Sequence, residues 1–225
     1  MPHAIVTGAS SGIGEAIVSR LLNQGWNVTG LSRSNVRRDN TGFNSICVDL
    51  SDGAALREVL TTLAEPHAVI HAAGMMASAP LGELTPEVSQ RLWQLHVLAA
   101  ETLINHFAPQ MASGGRIVVI GSRTSRGAAG RSQYVATKAA LVGMVRSWAA
   151  ELAPRGITAN VVAPGATQTP MLSAPGRASS PPTMPPIGRL ISPEEVAALV
   201  GFVLSPEAAA ITGQELVICG GASLK

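Results

Sequence analysis

The stretch "HAIVTGASSGIG", residues 3–14, is the clearest indication of the fold in this sequence. Its first half is a short run of β-branched and other apolar residues, which is typical of a buried strand. Its second half brings three glycines to the start of an amphipathic pattern that extends from Ile13 to Asn23, and Gly25 marks the end of that pattern. The sequence therefore predicts a strand that turns through a glycine-rich loop into a helix.

Strand-like runs and helical patterns alternate along the rest of the chain. The runs are continuously apolar, which favours parallel strands that are buried on both faces. Repeated β-α-β units with right-handed crossovers predict a single-domain α/β protein, a Rossmann-type doubly wound parallel sheet of about seven strands with helices on both faces. Further strands are predicted in "NVTGL", "SICVDL", "AVIHAAG", "RIVVIGS", "TANVVAPG" and "QELVICGG", and helices near 52–64, 86–110, 133–152 and 193–204, the last opening with a Ser192–Glu195 capping box.

Composition bounds the class of protein. Of the 225 residues, 46% are hydrophobic and 13% are charged, which indicates a large core. The net charge is only +2 and the basic residues are scattered, so nucleic-acid binding is not expected. Apolar runs are too short to span a membrane and no basic leader precedes the first strand, so we expect a cytoplasmic protein. Cys47 and Cys219 are expected to be small core residues rather than a disulfide, and no metal site is predicted.

The segment "LSAPGRASSPPTMPPIGR", residues 172–189, is rich in proline and serine and fits no periodic pattern. Composition leaves two interpretations open, a surface loop or a mobile lid over a binding site. The predicted organisation is therefore one domain over residues 1–225, in which 172–189 is the candidate substrate lid.

The glycine-rich turn has a chemical interpretation. Gly8, Gly12 and Gly14 permit a tight turn and a close approach of the backbone to a ligand. The helix N-terminus that follows offers free N–H groups and a partial positive charge to a pyrophosphate. The alternative is a turn that serves the fold alone, although its position between the first strand and the first helix favours dinucleotide binding.

The end of the second strand indicates which dinucleotide. In such folds an acidic residue here binds the ribose hydroxyls of NAD, whereas a nearby arginine accommodates the 2′-phosphate of NADP. This chain has Ser32 and Arg33, and no carboxylate until Asp39. A guanidinium binds a phosphate in bidentate fashion, so NADP(H) is favoured and NAD(H) stays possible. Alternatively Arg33 is an ordinary solvated residue; Arg37 and Arg38 either assist it or are plain loop charges.

Tyr134 is the only tyrosine of the chain, and Lys138, one of two lysines, follows it by four residues. On a helix the two side chains share a face. The surrounding residues are apolar almost all round, which predicts a buried helix, where a lysine is costly unless it is paired or functional. A nearby ammonium favours the phenolate, so this pair suits general acid–base chemistry. The alternative is a core tyrosine beside a lysine that extends toward solvent.

These residues resemble the short-chain dehydrogenase/reductase family over essentially the whole chain. "TGASSGIG" resembles its nucleotide loop, "YVATK" its Tyr-x-x-x-Lys motif and "HAAG", residues 71–74, its Asn-Asn-Ala-Gly element. "RIVVIGS" resembles the strand that ends in a catalytic serine, here Ser122. "NVVAPGATQTPM" resembles the Pro-Gly segment beside the nicotinamide, and "ITGQELVICGG" the last strand.

The resemblance implies hydride transfer between nicotinamide and a carbonyl or alcohol carbon. Tyr134 would be the acid/base, Lys138 would bind the nicotinamide ribose and lower the pKa of Tyr134, and Ser122 would polarise the substrate oxygen. Asp49 would meet the adenine edge and Thr169 the carboxamide side. Ser125 is a weaker rival of Ser122. The implied cofactor-binding residues are Gly8, Ser10, Ser11, Gly12, Ile13, Gly14, Ser32, Arg33, Asp49, Leu50, Ala73, Gly74, Tyr134, Lys138, Pro164, Gly165, Thr167 and Thr169.

Two positions depart from the family pattern. His96, in "WQLHVLAAE", stands where the family has an asparagine that holds a kinked backbone and a water of a proton relay. Histidine hydrogen-bonds a water too, but it is larger and titrates near neutral pH, and His96 is either a fourth catalytic residue or a core histidine. In "HAAG", Ala72 forfeits side-chain hydrogen bonds that would brace the neighbouring strands.

We therefore predict an NADP(H)-dependent oxidoreductase that acts on a small carbonyl or alcohol substrate. The alternative is a dinucleotide-binding regulator or scaffold that does not turn over, which the two departures motivate. The resemblance assigns the apolar helices near 86–110 and 133–152 to the interface of a homodimer or homotetramer. Met75 and Met76 suggest an apolar wall of the substrate pocket.

Overall fold

A computed structural model describes residues 1–173 and 181–224. Its centre is a sheet of seven parallel strands, which confirms the predicted architecture. Every pair of neighbouring strands is parallel, so all the carboxyl ends meet at one edge. The strands are β1 (His3–Thr7), β2 (Asn27–Ser32), β3 (Phe43–Cys47), β4 (Ala68–His71), β5 (Arg116–Ile120), β6 (Thr158–Pro164) and β7 (Glu215–Ile218). Their order in the sheet is β3-β2-β1-β4-β5-β6-β7.

Helices connect the strands and cover both faces of the sheet. The predicted helix near 86–110 is divided by one π-helical turn at Gln94–Leu98. The predicted capping box is present, because Ser192 Oγ accepts from the Glu195 N–H and Glu195 Oε2 accepts from the Ser192 N–H. The α-helices are α1 (Gly12–Asn23), α2 (Gly53–Thr61), α3 (Pro86–Trp93), α4 (Ala99–Phe107), α5 (Ser132–Leu152) and α6 (Pro193–Leu204).

Two apolar layers hold the helices on the sheet. On one face, side chains of α2, α4 and α5 such as Leu56, Phe107 and Leu141 are buried against it. On the other face α1 and α6 pack side by side, and Ile17 and Val200 are buried there. Burial of a large aliphatic side chain contributes about 1.5–3 kcal/mol, so these layers are the main stabilising force. No described helix is long and apolar enough to cross a membrane.

The prediction that every strand is buried on both faces is wrong for the two strands at the edges of the sheet. The residues of β3 and β7 are partly exposed, because each strand has only one neighbour in the sheet. Cys47, the last residue of β3, is exposed rather than a core residue. Cys219 is buried as expected, and both thiols are free.

Helix α5 is less buried than its sequence predicts. Tyr134, Lys138 and Leu141 face the sheet, but Ala136 and Gly143 on the opposite side are exposed. Small apolar residues cost little when exposed, so a nearly all-apolar helix does not require complete burial within one chain.

The order of the strands creates a crevice. The chain moves outward from β1 through β2 to β3, then returns to the other side of β1 and continues through β4 to β7. At such a switch point the loops at the carboxyl ends separate and leave space for a ligand. The glycine-rich turn after β1 and the segments after β4, β5 and β6 all border this space.

Candidate active site

One cavity of about 920 Å³ lies over the carboxyl ends of the strands. This volume is near the upper end of the range of about 300–1,000 Å³ that is usual for ligand sites. The structure brings every predicted site residue to its wall: Gly8, Ser10, Ser11, Gly12, Ile13, Gly14, Ser32, Arg33, Asp49, Leu50, Ala73, Gly74, His96, Ser122, Tyr134, Lys138, Pro164, Gly165, Thr167 and Thr169.

The glycine-rich turn forms a backbone cradle at the start of α1. Gly8 has φ +69° and donates its N–H to the carbonyl of Leu31 at 2.9 Å. A Cβ at Gly8 would lie 2.9 Å from Cα of Ala73, and a Cβ at Gly14 only 2.1 Å from the carbonyl oxygen of Gly8. The turn therefore requires glycine, and it brings bare backbone and the N-terminus of a 12-residue helix to the cavity. Such a cradle fits the pyrophosphate of a dinucleotide.

The residues after β2 and β3 border the same end of the cavity. Ser32 Oγ donates to the carbonyl of Ser34 at 2.7 Å, and the exposed Arg33 lines the wall. Asp49 Oδ1 accepts from the Ser51 N–H at 2.9 Å. Arg38 points elsewhere: it donates to Ser19 Oγ at 2.9 Å and lies over the ring of Phe43.

Tyr134 and Lys138 occupy successive turns of α5, and both are buried. Lys138 Nζ donates to the carbonyl of Ile120 at 2.9 Å and lies 5.9 Å from the centroid of the Tyr134 ring. Burial lowers the pKa of Lys138 to about 7. Near neutral pH the group therefore passes readily between amine and ammonium.

Ser122 follows β5 and faces the cavity. Its Oγ shares a hydrogen bond of 2.8 Å with Thr124 Oγ1 and accepts from the Thr124 N–H at 3.2 Å. Ser125 instead donates to Glu215 Oε1 at 2.6 Å and is not among the described residues of the cavity wall. The geometry favours Ser122 over its rival.

His96 lies within the π-helical turn and is completely buried. Its Nε2 accepts from the backbone N–H of Met75 at 3.0 Å. Its Nδ1 lies 2.9 Å from Thr137 Oγ1, whose own proton goes to the carbonyl of Tyr134, so Nδ1 must be the donor. These partners select the neutral Nδ1–H tautomer, and burial holds the pKa of His96 well below 6.5. The expectation that His96 titrates near neutrality is therefore wrong.

The "HAAG" segment is held to the neighbouring strand β1 by hydrogen bonds that do not involve an asparagine side chain. Thr7 Oγ1 accepts from the N–H groups of Ala72 and Ala73, each at 3.1 Å, and so gives its own proton to His71 Nδ1 at 3.0 Å. Burial lowers the pKa of His71 to about 3, so the ring is neutral. The bracing that we expected Ala72 to forfeit is supplied by Thr7.

Sequence reasoning missed several residues that line the wall near Ser122 and Tyr134: Arg91, Leu95, Arg123, Arg131 and Ala222. Only Arg131 carried a local signal, because it precedes Tyr134 by three residues and so lies near the same helix face. Met75 and Met76 line the wall as expected, as do Leu172 and 182–186 of the candidate lid; residues 174–180 lie outside the described part. The described residues contain no cluster of histidine, cysteine, aspartate or glutamate suited to a metal ion.

Comparison with known proteins extends these observations. A family model described as Enoyl-(Acyl carrier protein) reductase matches residues 8–223. The 3-oxoacyl-[acyl-carrier-protein] reductase FabG of Vibrio cholerae is 33% identical over 97% of this chain and 96% of that protein. The cyclic-di-GMP-binding biofilm dispersal mediator protein of Escherichia coli is 34% identical over 96% of this chain and 94% of that protein. The crystal structure of a blue fluorescent protein from a metagenomic library in complex with NADPH has a TM-score of 0.86 and 31% identity, covering 98% of this chain and 97% of that one.

Proposed function

This chain belongs to the short-chain dehydrogenase/reductase family, and we propose that it is an NADP(H)-dependent oxidoreductase that interconverts a carbonyl compound and its alcohol. One observation carries the proposal: Ser122, Tyr134 and Lys138 line the same cavity as the glycine-rich cradle. The two free thiols favour the reducing environment of the cytoplasm.

The proposed mechanism assigns one task to each side chain. In the reductive direction, bound NADPH would supply the hydride that adds to the carbonyl carbon. Tyr134 donates its hydroxyl proton to the carbonyl oxygen, which becomes the alcohol oxygen. Ser122 hydrogen-bonds that oxygen while its negative charge develops. Lys138, in its ammonium form, would bind the ribose hydroxyls of the cofactor and would stabilise the phenolate that forms on Tyr134. Oxidation of the alcohol runs through the same steps in reverse.

Arg33 supports NADP(H) over NAD(H). It lines the cavity at the end of β2, and the first carboxylate after it, Asp39, does not line the wall. A guanidinium here would pair with a 2′-phosphate, which an acidic residue would repel. The relative of known structure that binds NADPH supports the same choice.

His96 acts in this proposal as a positioning residue. Both of its ring nitrogens are bonded to protein groups, so its side chain does not hold the water of a relay. It joins the Met75 backbone to helix α5, and its ring packs edge-to-face against the ring of Tyr134 at 5.7 Å between centroids. This arrangement would keep Tyr134 in one orientation toward the substrate.

A second candidate is a dinucleotide-binding regulator without turnover. His96 in the asparagine position favours it, as does the similarity to a relative named for cyclic-di-GMP binding. Robust turnover of any carbonyl or alcohol compound would exclude this candidate. Tight NADPH binding without turnover on a broad panel of such compounds would favour it.

Two experiments test the proposed function. Tyr134→Phe should abolish NADPH-dependent turnover, while NADPH should still raise the melting temperature of the variant. Full residual activity in this variant would contradict the proposed mechanism.

The second experiment tests the cofactor. NADPH should raise the melting temperature of the wild type more than NADH does, and Arg33→Ala should lose that preference. Arg37→Ala is the matched control, because Arg37 is exposed on the same loop and is not among the described residues of the wall. A preference for NADH would contradict the role of Arg33.

A further inference from the structure

The cavity wall near Ser122 and Tyr134 carries charge of one sign. Arg91, Arg123 and Arg131 line it there. The only carboxylate among the described wall residues is Asp49, which follows β3 at the opposite end. The sequence of 174–180 contains no acidic residue either.

The three arginines belong to the elements that carry the catalytic side chains. Arg123 directly follows Ser122, and Arg131 precedes α5 at its N-cap, one turn before Tyr134. Arg91 lies on α3, which packs against α5. The pyrophosphate cradle is formed by a different element, the turn between β1 and α1. The three arginines therefore lie on or next to the elements that carry the reacting groups, not on the element that forms the cradle.

Two of the three arginines, Arg91 and Arg123, have no acidic partner in the described parts of the chain. The ion pairs there join Arg38 to Glu15, Arg126 to Glu215 and Arg189 to Glu195. Arg123 is half-buried, and one of its N–H groups donates to a neutral acceptor, the carbonyl of Ala222, at 3.4 Å. Arg126, only three residues further on, is paired with a carboxylate. The guanidinium of Arg123 is therefore able to bind an anionic group of a ligand in the cavity.

We propose that the substrate is a carbonyl compound that carries an anionic group, a carboxylate or a phosphate, and that Arg123, Arg131 and Arg91 bind this group. The inference rests on the proposed reductase function and names the class of its substrate. Guanidinium groups bind both anions in bidentate fashion, and a recessed wall of one charge concentrates anions at the site. Met75, Met76 and Leu95 would contact the carbon chain between the anion and the carbonyl.

Matched substrate pairs test this assignment. With NADPH, kcat/KM is measured for short-chain oxo carboxylates against their methyl esters, and for dihydroxyacetone phosphate against dihydroxyacetone. We expect the anion to exceed its neutral partner by about tenfold or more in at least one series, and the series that shows it identifies carboxylate or phosphate. Neutral partners that are reduced as well as the anions in both series would overturn the inference.

Arginine variants test the residues. Arg123→Gln and Arg131→Gln should each reduce the ratio of anionic to neutral kcat/KM by about tenfold, mainly through KM of the anion. Arg146→Gln is the control, because Arg146 is exposed on α5 and is not among the described residues of the wall. Added salt should weaken the anion preference of the wild type. If both variants keep the wild-type ratio of anionic to neutral kcat/KM and the wild-type melting temperature, the assignment of the anion site to these arginines is contradicted.

A binding experiment separates this inference from the proposed function. Calorimetry on Tyr134→Phe loaded with NADPH measures the affinity for the same pairs without turnover. Selective binding of the anion, with no reduction of any compound by the wild type, would support the anion site and contradict the reductase. If the wild type reduces neutral and anionic compounds equally well and the variant binds them with equal affinity, the anion site is contradicted and the reductase function is supported.

Discussion

Lys138 is a cation at a costly position. Its side chain is buried next to two neutral imidazoles, those of His71 and His96, and beside the Tyr134 ring, with the Ile120 carbonyl as its acceptor. A buried ammonium is destabilising unless it is compensated, which explains why its pKa falls to about 7. The ribose hydroxyls of a bound cofactor would supply further acceptors.

This burial predicts a pH dependence of stability. The unfolded chain keeps the Lys138 proton up to a pKa of about 10.5, whereas the folded chain releases it at about 7. Between these values the unfolded state binds more protons, so the free energy of unfolding rises with pH; below about pH 7 the full cost of burying the cation remains. Lys138→Met should therefore stabilise the protein at low pH. It should also reduce the slope with which the free energy of unfolding rises with pH, by up to about 1.4 kcal/mol per pH unit.

The measurement is urea unfolding of both proteins between about pH 7 and pH 9. His71 and His96 do not interfere, since their protons bind to the unfolded chain only near or below its ordinary pKa of 6.5. Arg146→Met, an exposed position on the same helix, should keep the wild-type slope. Equal slopes in wild type and Lys138→Met would show that Lys138 has an ordinary pKa.

At this scale the sequence predicted the pairing of Tyr134 with Lys138 but not the state of His96. The pair is four residues apart on one helix, so its geometry is local. The partners of His96 are Thr137 and the Met75 backbone, 41 and 21 residues away in sequence. The tautomer depends on these long-range contacts, which residue type alone does not indicate.

Among the elements, the β1–α1 turn tolerates the least change. The atom nearest to a Cβ at Gly14 is a backbone oxygen, which cannot move as the end of a flexible side chain can. Gly14→Ala should destabilise the fold by about 1–3 kcal/mol and abolish the increase in melting temperature caused by NADPH. Gly143→Ala is the control, because a Cβ there meets nothing within 4 Å and alanine in a helix interior is favoured by about 0.5–1 kcal/mol. Both are measured by denaturant unfolding, and a Gly14→Ala protein as stable as wild type would contradict the crowding.

Element types were predictable where their signals are local. The capping box at Ser192 and the apolar strand runs are read from a few adjacent residues, and the structure contains them. The π-helical turn at Gln94–Leu98 was missed because the tertiary bonds of His96 lie within it. The exposure of β3 and β7 was missed because the order of strands in a sheet is not a local property.

On the scale of the whole molecule, the outer surface of α3 and α5 indicates association. Trp93 is 40% exposed and Leu98 is 49% exposed, on the helical segment that precedes α4. On α5, Ala136 and Gly143 present a smooth face of small residues to the outside. Exposed large apolar side chains beside such a face are typical of a protein–protein interface, and we expect a homodimer or homotetramer at micromolar concentration.

Gly143→Arg tests this expectation without disturbing the chain itself. The space around Gly143 is open, so the longer side chain fits the isolated protomer and the circular dichroism spectrum should not change. If α5 packs against its counterpart about a two-fold axis, each new guanidinium meets its own copy, and the like charges oppose association. Light scattering should then report a smaller mass for Gly143→Arg and the wild-type mass for Gly143→Ala. A wild type that already has the mass of one chain would contradict the interface, because it would show that α5 and Trp93 remain exposed in solution.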